Sequence, residues 1–109
     1  MSGQSFTRND RLRNKAEIRR ALREGKKRSF PELVLYSLDN ELGHARLGLA
    51  VSRKVGKAVY RNRLKRRLRE AFRLSAGRAL PHDLMIVARP AARDADYASL
   101  CRRLNSVLR

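Results

Sequence analysis

The chain has 109 residues, with 27 Lys and Arg against 10 Asp and Glu, a formal charge of +17, and a hydrophobic fraction of 42%. That is the length of one domain with enough apolar material for a core, and a charge beyond what solubility needs, which implies a polyanionic partner. A single cysteine, Cys101, excludes an internal disulfide, and no apolar run approaches the ~18 residues of a membrane-spanning helix. No charged-then-apolar signal pattern opens the chain. The expectation is one domain over residues 1–109, cytoplasmic, with no membrane partner.

Residues 1–13 are polar and basic without periodicity and read as a partly ordered arm. Asn14 and Glu17 have the spacing of a capping box, side-chain oxygen at N-cap and carboxylate at N3. Ile18, Ala21 and Leu22 continue as a short apolar stripe, and Gly25 is expected to end this helix with a positive φ. Lys26 to Ser29 read as a basic link. Leu33 to Leu38 are rich in β-formers and are stopped by Asp39-Asn40, with a turn over Asp39 to His44. From Ala45 to Ser52 the chain alternates, Leu47, Leu49 and Val51 on one side and Arg46, Gly48, Ala50 and Ser52 on the other. The small residues of this second strand allow another backbone to come close.

Residues 53–73 hold ten of the basic side chains and one acid, Glu70. Their apolar residues Tyr60, Leu64, Leu68, Ala71 and Phe72 recur at helical spacing and predict a helix over about 57–74, ending before Gly77. Asn62, Lys65, Arg66, Arg69 and Arg73 fall on the opposite face, with Arg61 and Arg63 flanking it. Like charges three and four residues apart repel by a few tenths of a kcal/mol per pair. An ordinary solvated face mixes signs; this one is almost purely cationic, so nucleic acid is the expected partner.

Pro81 precedes a third strand, Leu84 to Ala88, whose continuous apolar run suits a strand covered on both faces. Asp94 is placed as N-cap of a last helix with Tyr97, Leu100, Cys101, Leu104, Val107 and Leu108 on one face. The order αββαβα predicts an α+β two-layer sandwich, a small central sheet packed by helices.

Little in the chain is equipped for catalysis. His44 and His82 are isolated, without the cysteines or paired acids of a metal site. Asp94 and Asp96 suit a helix N-terminus, and Cys101 suits the apolar stripe of its helix. There is no Walker loop, dinucleotide fingerprint or nucleophile elbow. Gly43, Gly48 and Gly56 lack the spacing of a phosphate-cradling loop, and Gly56 suits a sharp strand-to-helix turn. RRM and KH signatures are missing as well. Tyr36 lies mid-strand, where a sheet face could stack a base; a half-buried core position accounts for it equally well.

The run Arg46-Leu-Gly-Leu-Ala-Val-Ser-Arg-Lys-Val-Gly-Lys-Ala-Val-Tyr-Arg-Asn-Arg-Leu-Lys-Arg-Arg-Leu-Arg-Glu-Ala-Phe72 resembles the signature of the bacterial ribonuclease P protein subunit, a long pattern of the form SxKxGxAVxRNRxKRxxR. The similarity extends to the early Arg-Leu-Arg arm, the Leu-Val-Leu-Tyr strand, Asp83-Leu-Met-Ile-Val-Ala-Arg89 and the closing helix. It implies a small basic protein bound to a large catalytic RNA, in a complex that removes the 5′ leader from precursor tRNA using Mg²⁺ held mainly by the RNA. No catalytic residue is then expected in the protein. By position, the resemblance assigns Arg53, Lys54, Lys57, Arg61, Asn62, Arg63, Lys65, Arg66 and Arg69 to the catalytic RNA. It assigns a cleft between the first helix and the sheet to the leader, with Tyr36, Ile18 and Leu22 lining it. Many relatives carry aromatics where this chain has Ile18 and Leu22, which leaves apolar contact and Tyr36 to hold the leader here. The family's fold implies a left-handed βαβ crossover, against the ~98% right-handed rule. Two rivals from other classes are a general RNA- or DNA-binding protein and a nuclease acting without RNA. The first leaves the strand–turn–helix signature unexplained, and the second needs an acid or His constellation.

Overall fold

The structure, a computed structural model, describes residues 11, 12, 14–75 and 81–107. Its elements are α1 (Lys15–Glu24), β1 (Lys26–Ser29), β2 (Leu33–Asp39), β3 (Arg46–Ala50), α2 (Ala58–Leu74), β4 (His82–Ala88) and α3 (Tyr97–Val107), with 3₁₀ turns at Arg53–Val55 and Pro90–Asp94. The rest of the arm before Arg11, together with Arg13, Gly77, Leu108 and the side chain of Val107, lies outside the described residues.

The sheet order is β1-β2-β4-β3, so the apolar run of β4 occupies an interior position. β4 pairs antiparallel with β2 and parallel with β3, for example Leu35 with Ile86 and Leu47 with Leu84. Because β3 and β4 are parallel neighbours, α2 is the crossover between them. Residues Leu33, Leu35, Leu47, Leu84, Ile86 and Ala88 share one sheet face and pack with Leu64, Leu68, Phe72, Leu100 and Leu104 of α2 and α3. The opposite face, with Met85, Tyr36 and Ala50, meets Leu12 and α1 residues Ile18 and Ala21. The expected α+β sandwich of a small sheet packed by helices is present, but with α2 and α3 on one side of the sheet and α1 on the other it has helices on both faces instead of two layers, and β1 adds a strand to the expected αββαβα order.

Several local expectations are corrected. Lys26–Ser29 is not a link but an edge strand paired with β2, Lys26 opposite Ser37 and Ser29 opposite Val34. All four of its residues are exposed, so no burial alternation marks it. Gly25 ends α1 with φ −70°, not a positive value. Glycine is required there by space, since a Cβ would stand 2.5 Å from the Ala21 carbonyl oxygen. Asn14 caps α1 by accepting from the Ala16 and Glu17 amides, while the Glu17 carboxylate turns to Arg46 instead of closing the capping box. Asp94 sits in the 3₁₀ turn, and it is Asp96 whose Oδ1 accepts from Ser99 N at 2.7 Å and caps α3. The arm is ordered at its end. Leu12 N donates to Leu47 O at 2.9 Å, Arg11 bridges Leu47, and Leu12 is 3% exposed.

The close approach expected at β3 occurs at Gly48. A Cβ there would lie 2.7 Å from Met85 Sδ and 3.3 Å from Leu12 Cβ, so the missing side chain is the space the arm occupies. Gly56, between the 3₁₀ turn and α2, has φ +146°, the backbone freedom the strand-to-helix turn needs.

Candidate nucleic-acid interface

α2 carries seven basic side chains, Arg61, Arg63, Lys65, Arg66, Arg67, Arg69 and Arg73. Its inner stripe is fixed by Leu64, Leu68, Ala71 and Phe72, all buried. That burial sets the helical phase and turns Asn62, Arg63 and Arg66 to solvent, where each is exposed. Arg53 and Lys54 lie exposed in the preceding 3₁₀ turn, and Lys57 is the exposed N-cap residue. The first turn of α2 carries no acid, and Lys57 makes no side-chain capping bond. The start of α2 therefore presents amide groups amid cations, a chemistry suited to phosphate oxygens.

Two residues of this group differ from expectation. Arg61 does not flank the wet face; 3.6-residue periodicity brings it near the buried stripe, half-buried, with an enclosed Nε that has no hydrogen-bond partner among the described residues. Arg73, on the wet face, is bound to Glu70 in an i,i+3 ion pair, which lowers the Glu70 carboxyl and raises the guanidinium.

Lys65 and Arg69 are half-buried and turn toward the outer edge of β3. There, with Arg11, they rim a cavity of about 170 Å³ with Leu12, Gly48 and Leu49. Burial lowers the Arg69 guanidinium pKa, and the positive charge of Arg11 lowers it further. Three cations thus crowd the seam where the arm docks. Arg11 belongs to an arm without periodicity, in which the lone leucine beside it, Leu12, is the available sequence signal of docking.

The other face of the sheet is only partly roofed. α1 buries Ala21 alone, leaving Ile18 half-buried and Leu22 39% exposed. Beneath it, Tyr36, Ala50 and Val87 are half-buried and Met85 is buried. Ile18 and Tyr36 pack in the same cluster, so the structure brings those two residues together, with Leu22 one helical turn beyond Ile18 at the open side. Lys27 is the cross-strand partner of Tyr36 and projects from the same face. Lys15 and Arg19 are exposed on the flank of α1 away from Glu17. The result is an apolar floor with an aromatic ring and a cationic rim.

A buried charge cluster fastens this roof. Arg46 Nε and Nη2 donate to Asp83 Oδ1 and Oδ2 at 2.9 and 2.8 Å, and Nη2 also donates to Glu17 Oε2 at 2.7 Å. Asn40 Nδ2 donates to the same Asp83 Oδ1 at 2.8 Å. The side chains of Arg46 and Asp83 are 15% and 8% exposed. The hydrogen bonds with Asp83 raise the Arg46 pKa above its ordinary value against the opposing effect of burial, and Glu17 adds to the rise. One guanidinium so ties α1 to β3 and β4.

Among the described residues no group of three or more His, Cys, Asp or Glu is placed to hold a metal ion. Cys101 is partly buried against the core. No helix among the described residues is long and apolar enough to cross a membrane.

Comparison with known proteins bears on the family and the fold. Residues 6–109 match the family described as Ribonuclease P. The chain is similar to the ribonuclease P protein component of Clostridium botulinum (strain Loch Maree / Type A3), 38% identical over 102 residues, covering 92% of this chain and 92% of the relative. The component from Staphylococcus aureus (strain Mu3) is 34% identical over 100 residues, covering 91% and 87%. Among solved structures, the Staphylococcus aureus RNase P protein superposes with a TM-score of 0.79 at 34% identity, covering 91% of this chain and 92% of that one. The Thermotoga maritima RNase P protein gives 0.78 at 30%, covering 90% and 94%. On sequence, length and fold together, the chain belongs to the ribonuclease P protein family, the protein component of that endoribonuclease.

Proposed function

We propose that the protein works by two faces: the cationic side of α2 docks the catalytic RNA of ribonuclease P, and the cleft between α1 and the sheet holds the 5′ leader of precursor tRNA. The observation that carries the reading is the separation of chemistries across one sheet. A nearly acid-free cationic helix packs on one face, and an aromatic, apolar floor with a basic rim lies on the other.

On the first face, Arg53, Lys54, Lys57, Arg63, Lys65, Arg66 and Arg69 neutralise phosphates and release counterions. For on the order of seven contacts, the slope of log affinity against log salt is about −5 to −6, or a loss of ~10³ between ~50 and ~200 mM. Arg63 can fork a phosphate in two hydrogen bonds, and exposed Asn62 adds directional donors and acceptors that a point charge lacks. Arg61, half-buried, contributes through its guanidinium edge alone. On the second face, Tyr36 stacks a leader base, Ile18 and Leu22 give apolar contact, and Lys27 meets the phosphate beside it.

Mg²⁺ supplies the hydrolytic chemistry when bound, and the proposal assigns it to the RNA, because cationic surfaces are the wrong donors for it. The protein's part is to lower the charge cost of RNA assembly and to position the substrate in the cytoplasm. The test is 5′ cleavage of a precursor tRNA at low Mg²⁺ with bacterial ribonuclease P RNA, with the protein, and with both. Strong stimulation only in the combined reaction is expected. Tight RNA binding without stimulation would make the chain a general RNA binder, and cleavage by protein alone would place the chemistry in the protein.

A further inference from the structure

The connector between β4 and α3 carries a cation that lies outside the motif and off the helix. Arg93 is in the 3₁₀ turn Pro90–Asp94, which packs against the start of α2 and against the turn Arg53–Val55. Its guanidinium carbon is 4.2 Å from the centre of the Tyr60 ring, and that of Arg63 is 5.3 Å from the same centre. Both lie within cation–π range. A Cβ at Gly56 would touch Tyr60 Cδ2 at 3.4 Å and Arg93 Cδ at 3.5 Å, so the turn, the ring and the Arg93 stem form one continuous patch.

We infer that Arg93 is a phosphate contact for the catalytic RNA, which extends the RNA face from α2 onto the β4–α3 connector; this rests on the reading that α2 docks that RNA. Two guanidinium groups on one ring lie within about one Debye length (~10 Å) of each other at ~0.1 M salt, where their repulsion is incompletely screened. Neither has a strong internal counter-ion. Arg93 has an ion pair with Asp94 at 3.9 Å, but Asp94 is 89% exposed, and such pairs contribute little. Arg63 has no ion pair among the described residues. The Arg93 side chain is 45% exposed, with its stem against the patch and its head held on the ring. A guanidinium resting on an aromatic face keeps its in-plane N–H groups for a phosphate, and a head already positioned loses less side-chain freedom on binding. Arg53, Lys54 and Lys57 lie along the same end of α2, so one RNA backbone passing there meets them all.

A purely structural latch between connector and helix predicts lost stability and nothing else, so the salt dependence of binding decides. Affinity of the full chain for a bacterial ribonuclease P RNA transcript is measured from ~50 to ~200 mM monovalent salt, with thermal midpoints, for Arg93→Ala, Arg93→Lys and Arg66→Glu. Arg93→Ala is expected to make the slope shallower by about 0.7–0.9, so its affinity deficit shrinks about threefold across that range. Arg93→Lys is expected to keep the slope and bind more weakly than the parent, having the charge without the planar stack. A parental slope for Arg93→Ala beside a shallower one for Arg66→Glu overturns the inference and leaves the α2 reading standing. Parental slopes for both overturn that reading as well. Equal loss of thermal midpoint in Arg93→Ala and Arg93→Lys with parental slopes identifies a latch and also overturns the inference.

Discussion

Replacing Arg46 by Met tests whether α1 is held over the sheet by a single guanidinium. The substitution keeps an unbranched apolar stem and removes the charge. Asp83, 8% exposed, then loses its two hydrogen bonds from Arg46 and keeps the one from Asn40 at 2.8 Å. Breaking a buried pair from one side costs about 3–5 kcal/mol, and the surviving Asn40 bond favours the lower end. Glu17 is 43% exposed and rehydrates, adding under ~1 kcal/mol. The expected loss is about 3–4 kcal/mol, a large fraction of the ~5–15 kcal/mol that holds a domain together. With an unfolding entropy of ~2.1 cal/mol/K per residue, the melting temperature falls by roughly 12–18 °C. Urea denaturation followed by circular dichroism at pH 7 measures it. The double variant Arg46→Met with Asp83→Leu should lose less than Arg46→Met alone, because no charge is left stranded. A single-variant loss under ~1 kcal/mol, or a double variant no better than the single, would show that Asp83 does not depend on the Arg46 guanidinium.

Tyr36→Leu keeps an apolar side chain but no stacking surface. It should weaken binding of leader-bearing precursor by the ~1–3 kcal/mol of one stacked base, about 5- to 150-fold, with mature tRNA affinity unchanged in the assembled enzyme. Gly48→Ala forces Met85 or Leu12 to move and should cost about 1–3 kcal/mol in urea denaturation, with the arm more readily cleaved by protease near Leu12. Asp96 is held below its ordinary value of 3.8, first by the Ser99 amide and then by the Ser99 hydroxyl. A depressed carboxylate contributes stability that is complete above that value and is lost as the pH falls through and below it. Asp96→Asn should therefore flatten the acid limb of stability below about pH 4 in a thermal-midpoint titration, and an unchanged limb would count against the cap.

How much was legible beforehand depended on whether burial left a period in the sequence. Tyr60, Leu64, Leu68, Ala71 and Phe72 are spaced by the core they meet, so α2 and its wet face could be read directly. β1 could not: an edge strand with four exposed residues has no inward side to alternate with. The Glu17–Arg46–Asp83 cluster joins residues 29 and 37 positions apart, brought together by the register of β3 on β4 and the docking of α1 on the sheet. For Arg61 charge points to solvent while helical phase takes it inward, and the phase prevails. Asp96 and Asp94 are equally good caps by type, and the 3₁₀ turn over Pro90–Asp94 decides between them. Arg11 and Arg93 owe their place to tertiary docking, of the arm on β3 and the connector on α2, and carry no local pattern.

The division of labour between the two faces is tested most directly by site-directed crosslinking in the assembled enzyme. With Cys101 replaced by Ser, a photocrosslinker is placed on Val59→Cys, a site 67% exposed among the cations of α2, or on Leu22→Cys at the mouth of the cleft. Crosslinks are expected from Val59 to the catalytic RNA and from Leu22 to the leader of the precursor. Leader crosslinks from the α2 position, or catalytic-RNA crosslinks from both positions with none to the leader, would contradict that division of labour.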